Sequence, residues 1–328
     1  MSTTAPAPTA SSAAPPPVAF PALRRFLRHR LAMLGAGVIV LMLAGCVIGP
    51  SLLPFTDVFI DIRARFSPPL SGAHVLGTDQ LGRDMLARLL MAGRISLAVG
   101  FAAMAISMAI GVTVGLVAGY YQGIPGMVLM RFVDAMLCFP SIFLLLAISA
   151  LIEPSVESIV LLIAITSWME VARIVEGQIR ALRERDFAVA AEAMGARDSR
   201  VMFRELLPNA MAPIVVAATL NVAHAILAES YISFLGFGIQ PPTPSWGNML
   251  DNAQSYLTSA PWLAILPGAA IALAVTCFNF IGDGLRDAFD PRQKKFNAKK
   301  ARAAGAPAAA APAAEKSAVT AFDGSKEN

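Results

Sequence analysis

The residues with soft donor atoms are few and scattered. Three histidines (His29, His74 and His224) and three cysteines (Cys46, Cys138 and Cys277) are present, and no two of them stand at metal-ligand spacing. The cysteines fall in apolar segments and read as small buried hydrophobes. The chain contains no Gly-Lys dipeptide, so it has no phosphate-cradling P-loop. If ATP drives this protein, a partner binds the nucleotide. No catalytic cluster converges, which argues against an enzyme. What remains is a small set of ionisable residues inside apolar runs: Arg131 and Asp134, then Glu170, Arg173 and Glu176, then His224 and Glu229. An ionisable group at membrane depth is costly and is by default a functional candidate. Asp134, His224 and Glu229 are therefore candidates for a pathway or gate. For Glu229 the alternative is a place near the outer end of its span, in reach of water or a neighbouring helix. Arg131 and Asp134, three apart, are placed to pair on one helix face. Glu170, Arg173 and Glu176 are either the end of a helix emerging into water or a polar lining.

The densest run of charge between apolar segments is Arg183 to Pro208, RERDFAVAAEAMGARDSRVMFRELLP. Its alanines and helix formers predict a helix in the first half. Gly195 breaks or turns the chain. A second short helix can start there, with Asp198 or Ser199 as cap and an apolar side of Val201, Met202, Leu206 and Leu207. Pro208 suits the first turn of the next apolar helix. A helix, turn and helix between two spans can sit in the groove of a soluble partner.

The elements that position these residues are membrane spans. Of 328 residues, 56% are hydrophobic and only 15% charged, against about 45–50% and 25% in soluble domains. Charge-free runs of spanning length recur, and without water in the bilayer core such runs must be helical. Six spans are expected, near 31–55, 95–119, 127–151, 156–169, 209–235 and 263–282. The net charge of +4 is carried in loops and tails, so it is a topology signal and not a nucleic-acid one. Of 26 Lys and Arg, five (Arg63 to Arg94) belong to a long outer segment, 54–93, and the residue just after it; the other 21 fall on the side of the Gly195 loop. The positive-inside rule then makes that loop and both termini cytoplasmic. Residues 1–22 and 293–328, rich in Ala with Pro or Lys, read as disordered tails around a six-helix domain, 23–292. Leu43-Ala44-Gly45-Cys46 matches a lipoprotein cleavage box, but it lies far from the start and the apolar run continues past it, so the segment reads as a span. Within the outer segment, Met85 to Leu90 has the spacing of an interfacial helix leading into the second span. Thr78, Asp79 and Asp84 are local cap candidates there. Gly111, Gly115 and Gly119 line one face of the second span for close helix packing. Tyr120 and Tyr121 read as interfacial, Pro140 as a kink in the third span, and Trp246 as an interface residue in a proline-rich outer loop.

Several of these strings resemble one family. The loop resembles the Glu-Ala-Ala, three residues, Gly, hydrophobic-x-Leu-Pro pattern of ABC-importer permeases through Ala190, Ala191, Gly195, Leu207 and Pro208. Val189 and Glu205 depart from it, and Glu192 is out of register. His74-Val-Leu-Gly-Thr-Asp-Gln-Leu-Gly-Arg-Asp84 is similar to a signature of peptide and nickel permeases, departing at Val75, and Arg94-Ile-Ser-Leu and Gly236 to Gly247 fit as well. Across residues 25–292 the chain resembles the second, C-type permease of the dipeptide, oligopeptide and nickel transport family. The resemblance implies an all-α polytopic inner-membrane permease with a cytoplasmic coupling loop. It also implies a homologous second permease, two ABC ATPases that hold ATP and Mg, an extracytoplasmic solute-binding protein and the lipid bilayer as partners. Neither a bound cofactor nor nucleic acid is expected. Coupling falls to Asp186, Phe187, Ala190, Ala191, Gly195, Ala196, Arg200, Leu207 and Pro208. The binding-protein side falls to Gly77, Thr78, Asp79, Gly82, Arg83, Asp84 and Trp246. Peptides are the favoured solute, with nickel or another small solute as the alternative. An ion-driven secondary transporter using Glu229, Asp134 and Glu170 is the rival class.

Overall fold

The computed structural model describes residues 21–72, 74–251 and 253–289. Of the expected tails only Pro21 and Ala22 fall within these residues. Among the described residues the regular structure is helical, with two isolated bridges, Ser71 to His74 and Thr78 to Asp84. In chain order the helices are α1 (Pro21–Phe26), α2 (Arg30–Leu52), α3 (Met85–Tyr121), α4 (Gly123–Leu137), α5 (Ser141–Ser149), α6 (Val156–Arg183), α7 (Asp186–Ala193), α8 (Asp198–Arg200), α9 (Leu207–Phe234), α10 (Trp246–Leu250) and α11 (Trp262–Phe289). Among the described residues, five stretches are long and apolar enough to cross a membrane: α2, α3, α6, Asp198–Phe234 and α11. A sixth crossing arises if α4 and α5 are one broken span.

Three expectations change. The interfacial helix and the second span are one continuous helix of 37 residues, roughly 55 Å long at about 1.5 Å per residue. Gly93 does not interrupt it, because its bare Cα face is filled by Cys46 and Trp246: an added Cβ would lie 2.5 Å from the Cys46 Sγ and 2.8 Å from the Trp246 ring. The third span is not merely kinked at Pro140. α4 and α5 meet at 79°, because Pro140 supplies no amide and also drives Phe139 out of helical backbone geometry. Finally, the second short helix of the polar loop is no separate unit. α8 runs through a π-helical segment, Val201–Leu206, straight into α9. Pro208 cannot donate to the carbonyl four residues back, and the wider π turn just before it accommodates its ring.

The packing follows from small residues. Gly111, Gly115 and Gly119 of α3 lie against α6 as their spacing predicts. A Cβ at Gly115 would sit 2.6 Å from the Ala172 carbonyl oxygen, and one at Gly119 2.8 Å from that of Glu176. One apolar core joins α2, α3, α9, α10 and α11 through Cys46, Leu97, Ile226, Trp246 and Phe278. A second core joins α3, α6 and the polar loop through Tyr120, Ile179, Val201 and Leu206. The bundle therefore has two distinct ends: a loop end that carries residues 183–208, and a cap end that carries residues 54–84 and 235–262.

Candidate functional site

At the loop end, α7 closes on Gly195 for a specific reason. The Gly195 N–H donates to the Glu192 carbonyl at 2.9 Å and the Ala196 N–H to the Ala191 carbonyl at 3.1 Å. This is a Schellman closure, which needs a residue with positive φ at Gly195, and its φ is +77°. Ala188 and Ala191 face inward, with Val201, Met202 and Leu206 beside them. Phe187, Val189, Met194 and Phe203 face outward, Met194 at 82% exposure. Of the residues expected to couple, Asp186, Phe187, Ala190, Gly195, Arg200 and Pro208 are exposed, Ala196 and Leu207 are half-buried, and Ala191 is buried. Val189, the departure from the permease pattern, lies on the exposed apolar face. Exposed apolar clusters of this kind mark surfaces that another body covers.

The loop is fastened to the bundle by a joint that sequence reading missed. Tyr120 is not an interfacial tyrosine: it is 4% exposed, and its hydroxyl donates to the Asp198 carboxylate at 2.9 Å. Asp198 therefore does not cap its own helix; Arg197 takes the cap position and makes no side-chain bond there. Arg183, at the end of α6, donates to the Tyr120 carbonyl. Its guanidinium also stacks over the Tyr120 ring, 4.8 Å from the centroid, and reaches Glu192 at 3.4 Å. Displacement of the loop thus acts on α3 and α6 together. No local signal marks this joint, because Tyr120 and Asp198 stand 78 residues apart in the chain.

The three pathway candidates fall in three places. Asp134 pairs with Arg173 of α6, not with Arg131, because the neighbouring helix brings its guanidinium closer than the same helix can. Arg131, Asp134, Arg173, Glu176 and Arg180 line an open cleft of about 360 Å³ at the loop end, so α6 carries polar lining before it ends. His224 lies on an open face of α9, with its Nδ1 3.9 Å from the Glu170 carboxylate. Glu229 is enclosed at 0% exposure, where it accepts from Ser96 at 2.9 Å and Ser233 at 2.8 Å. Those hydroxyls in turn accept from the backbone of Trp246 at 3.1 Å and of Ile239 at 3.1 Å. Glu229 organises the turn between α9 and α10 and lines no surface that a solute can reach.

The cap-end signature is likewise a clamp. Gly77, Thr78, Asp79, Gly82, Asp84 and Trp246 are buried, and Arg83 is half-buried. Asp79 accepts from the Leu81 and Arg83 amides at 2.8 and 2.9 Å and pairs with the Arg83 side chain at 2.7 Å. Arg88 stands 3.6 Å from the same carboxylate. Asp84 caps α3 through the Ala87 amide at 2.8 Å and binds His74 at 2.9 Å. The Trp262 indole donates to the Thr78 carbonyl at 3.1 Å and the Trp246 indole to the Leu89 carbonyl at 3.1 Å. Trp246 is therefore an internal anchor and not a membrane-interface residue. With their polar atoms satisfied internally, these residues hold the cap end together.

Residues 111–295 match the family model described as binding-protein-dependent transport system inner membrane component. Residues 21–69 match the N-terminal TM domain of oligopeptide transport permease C. The chain is similar to the dipeptide transport system permease protein DppC of Alkalihalophilus pseudofirmus, 39% identical over 273 residues that cover 83% of this chain and 90% of that one. It is similar to the glutathione transport system permease protein GsiD of Pectobacterium atrosepticum, 40% identical over 272 residues, 83% and 90% of the two chains. A putative peptide permease protein of Brucella suis biovar 1 is 41% identical over 270 residues, 82% of this chain and 89% of its own.

Proposed function

The chain belongs to the binding-protein-dependent transport system inner membrane components, and on that premise we propose that it forms half of the translocation pathway of an ATP-driven peptide importer. A homologous permease supplies the other half. Two ABC ATPases dock on the loop end and hold ATP and Mg, since this chain has no P-loop. A solute-binding protein delivers peptide at the cap end. The distribution of Lys and Arg supports a cytoplasmic loop end and cytoplasmic termini. The observation that carries the reading is the exposed apolar face of Phe187, Val189, Met194 and Phe203, on a loop fastened to two long spans through Tyr120 and Arg183. The names of the relatives support peptides as the solute.

In this mechanism ATP binding draws the ATPases together and shifts α7. The Tyr120, Arg183 and Asp198 joint passes the shift to α3, α6 and the start of α9. Because α3 and α6 touch backbone to backbone along Gly111, Gly115 and Gly119, they move as one body. The pathway then opens outward to accept peptide and inward after hydrolysis. The chain itself performs no covalent chemistry.

The assembly is tested by purifying the tagged protein from its native membrane in mild detergent. Co-purification of a second permease and ATPases with P-loops is expected; a lone chain, under conditions that preserve a known ABC complex, would contradict it. Coupling is tested by Gly195→Val. The glycine has nothing within 4 Å of an added Cβ, so the substitution acts chiefly through its φ. A left-handed backbone costs an ordinary residue about 1–2 kcal/mol, more for a β-branched one, and the Schellman closure opens. Peptide uptake in proteoliposomes should fall about tenfold or more while the complex persists, and an unchanged rate would count against the loop's role.

A further inference from the structure

Glu170 and His224 stand well inside two helices of spanning length. Glu170 lies 14 residues after Val156 and 13 before Arg183, roughly 20 Å from either end of α6. His224 lies 10 residues before Phe234, about 15 Å from that end of α9. Yet their side chains are 62% and 66% exposed. Around them the open faces of the two helices are apolar: Ile165 and Ile174 on α6, Leu220 and Leu227 on α9. The interior polar groups of the bundle behave differently. Ser107 bonds Asn221 at 2.8 Å, and Glu229 is saturated by serines. Glu170 and His224 instead turn their polar atoms away from the bundle. Ionisable residues at such depth face a water-filled space or a partner and do not face lipid.

The spacing between the two is informative. The His224 Nδ1 and the nearer Glu170 oxygen are 3.9 Å apart, too far for a direct hydrogen bond. A nitrogen about 2.8 Å from both atoms fits across that gap. A primary ammonium meets both needs at once: one N–H to the carboxylate, and another to the imidazole in its Nε2–H tautomer. The nearest cationic side chain on α6, Arg173, is already committed to Asp134, so the carboxylate remains available to an incoming cation.

We propose that Glu170 and His224 form a subsite on the wall of the translocation pathway, which receives the free α-ammonium group of a peptide in transit. This rests on the peptide-importer reading above. On α6 the subsite lies about one turn from Arg173, which lines the charged cleft at the loop end. A peptide whose amino end pauses there exchanges water for one charge-assisted and one neutral hydrogen bond.

The test uses the complete transporter in proteoliposomes with its binding protein. Glu170→Gln keeps the shape and removes the charge. Initial uptake of a dipeptide with a free amino end should fall about tenfold, while ATP hydrolysis stimulated by the loaded binding protein persists, and Glu170→Asp should recover part of the rate. In parallel, cysteines at 170 and 224, placed one at a time in a background lacking Cys46, Cys138 and Cys277, should react with a cationic methanethiosulfonate added in water. A cysteine at Leu41, an exposed site on α2, should not. Uptake by Glu170→Gln at the wild-type rate, or cysteines at 170 and 224 as inert as one at 41, overturns the subsite alone. Wild-type liposomes that take up no peptide overturn the importer reading on which it rests, whatever the cysteines do.

Discussion

Gly115→Leu is expected to remove the protein from the membrane. The added Cβ would lie 2.6 Å from the Ala172 carbonyl oxygen, 2.7 Å from the Val175 Cβ and 3.0 Å from the Glu176 amide nitrogen. Two of these three are backbone atoms, which cannot turn aside as a side chain does. Overpacking a well-filled core costs about 1–3 kcal/mol, and contacts this rigid put the cost at the upper end or beyond. Losses of even 1–2 kcal/mol change abundance several-fold in cells. The membrane level of Gly115→Leu should therefore fall at least several-fold on a quantitative blot. Gly37→Leu, where nothing lies within 4 Å of the added atom, should be near wild type. Equal levels of the two variants would contradict the backbone-to-backbone contact of α3 and α6.

Asp79→Ala should be the most damaging change at the cap end. Asp79 is 3% exposed and Arg88 7%. Removing the carboxylate takes away two amide acceptors and the partner of Arg83, and it leaves the buried Arg88 guanidinium uncompensated. Breaking a buried pair from one side costs about 3–5 kcal/mol. A marked drop in the melting temperature of the detergent-solubilised protein is expected. Asp79→Asn should fall between, since it keeps an acceptor for the amides and loses the charge. If Asp79→Ala melted like wild type, the signature would not be the clamp described here.

Much of this architecture was legible in the sequence. The apolar runs located the spans, because a bilayer leaves a chain few alternatives to a helix. The four-residue spacing of Gly111, Gly115 and Gly119 gave a packing face, and their partner proved to be α6. The loop from Arg183 to Pro208 stood out by charge, and Gly195 makes the expected turn, with a positive φ.

What was not legible is which way a polar side chain points and what it meets across space. Asp134 had a local partner in Arg131, but the partner that counts is Arg173, 39 residues on. α9 is apolar on nearly all sides, so its pattern could not separate Glu229, which faces inward to Ser96 and Ser233, from His224, five residues away on the open face. Thr78, Asp79 and Asp84 read equally as caps or as an outer surface, and only their burial shows them to be a clamp. The joint at Tyr120 is invisible in sequence because Tyr120 and Asp198 lie 78 residues apart. Pro140 announced a bend, but its size depends on how α4 and α5 pack.

We propose that an ATPase drives this chain through the exposed face of the Gly195 loop. A photo-crosslinking amino acid at Met194, the most exposed apolar residue of that face, tests it most directly in intact membranes. Crosslinks from 194 to a protein with a P-loop are predicted, with none from the same probe at Leu41 on α2. A probe at 194 that captures only the binding protein, or that captures no ATPase while peptide uptake proceeds normally, would contradict the claim.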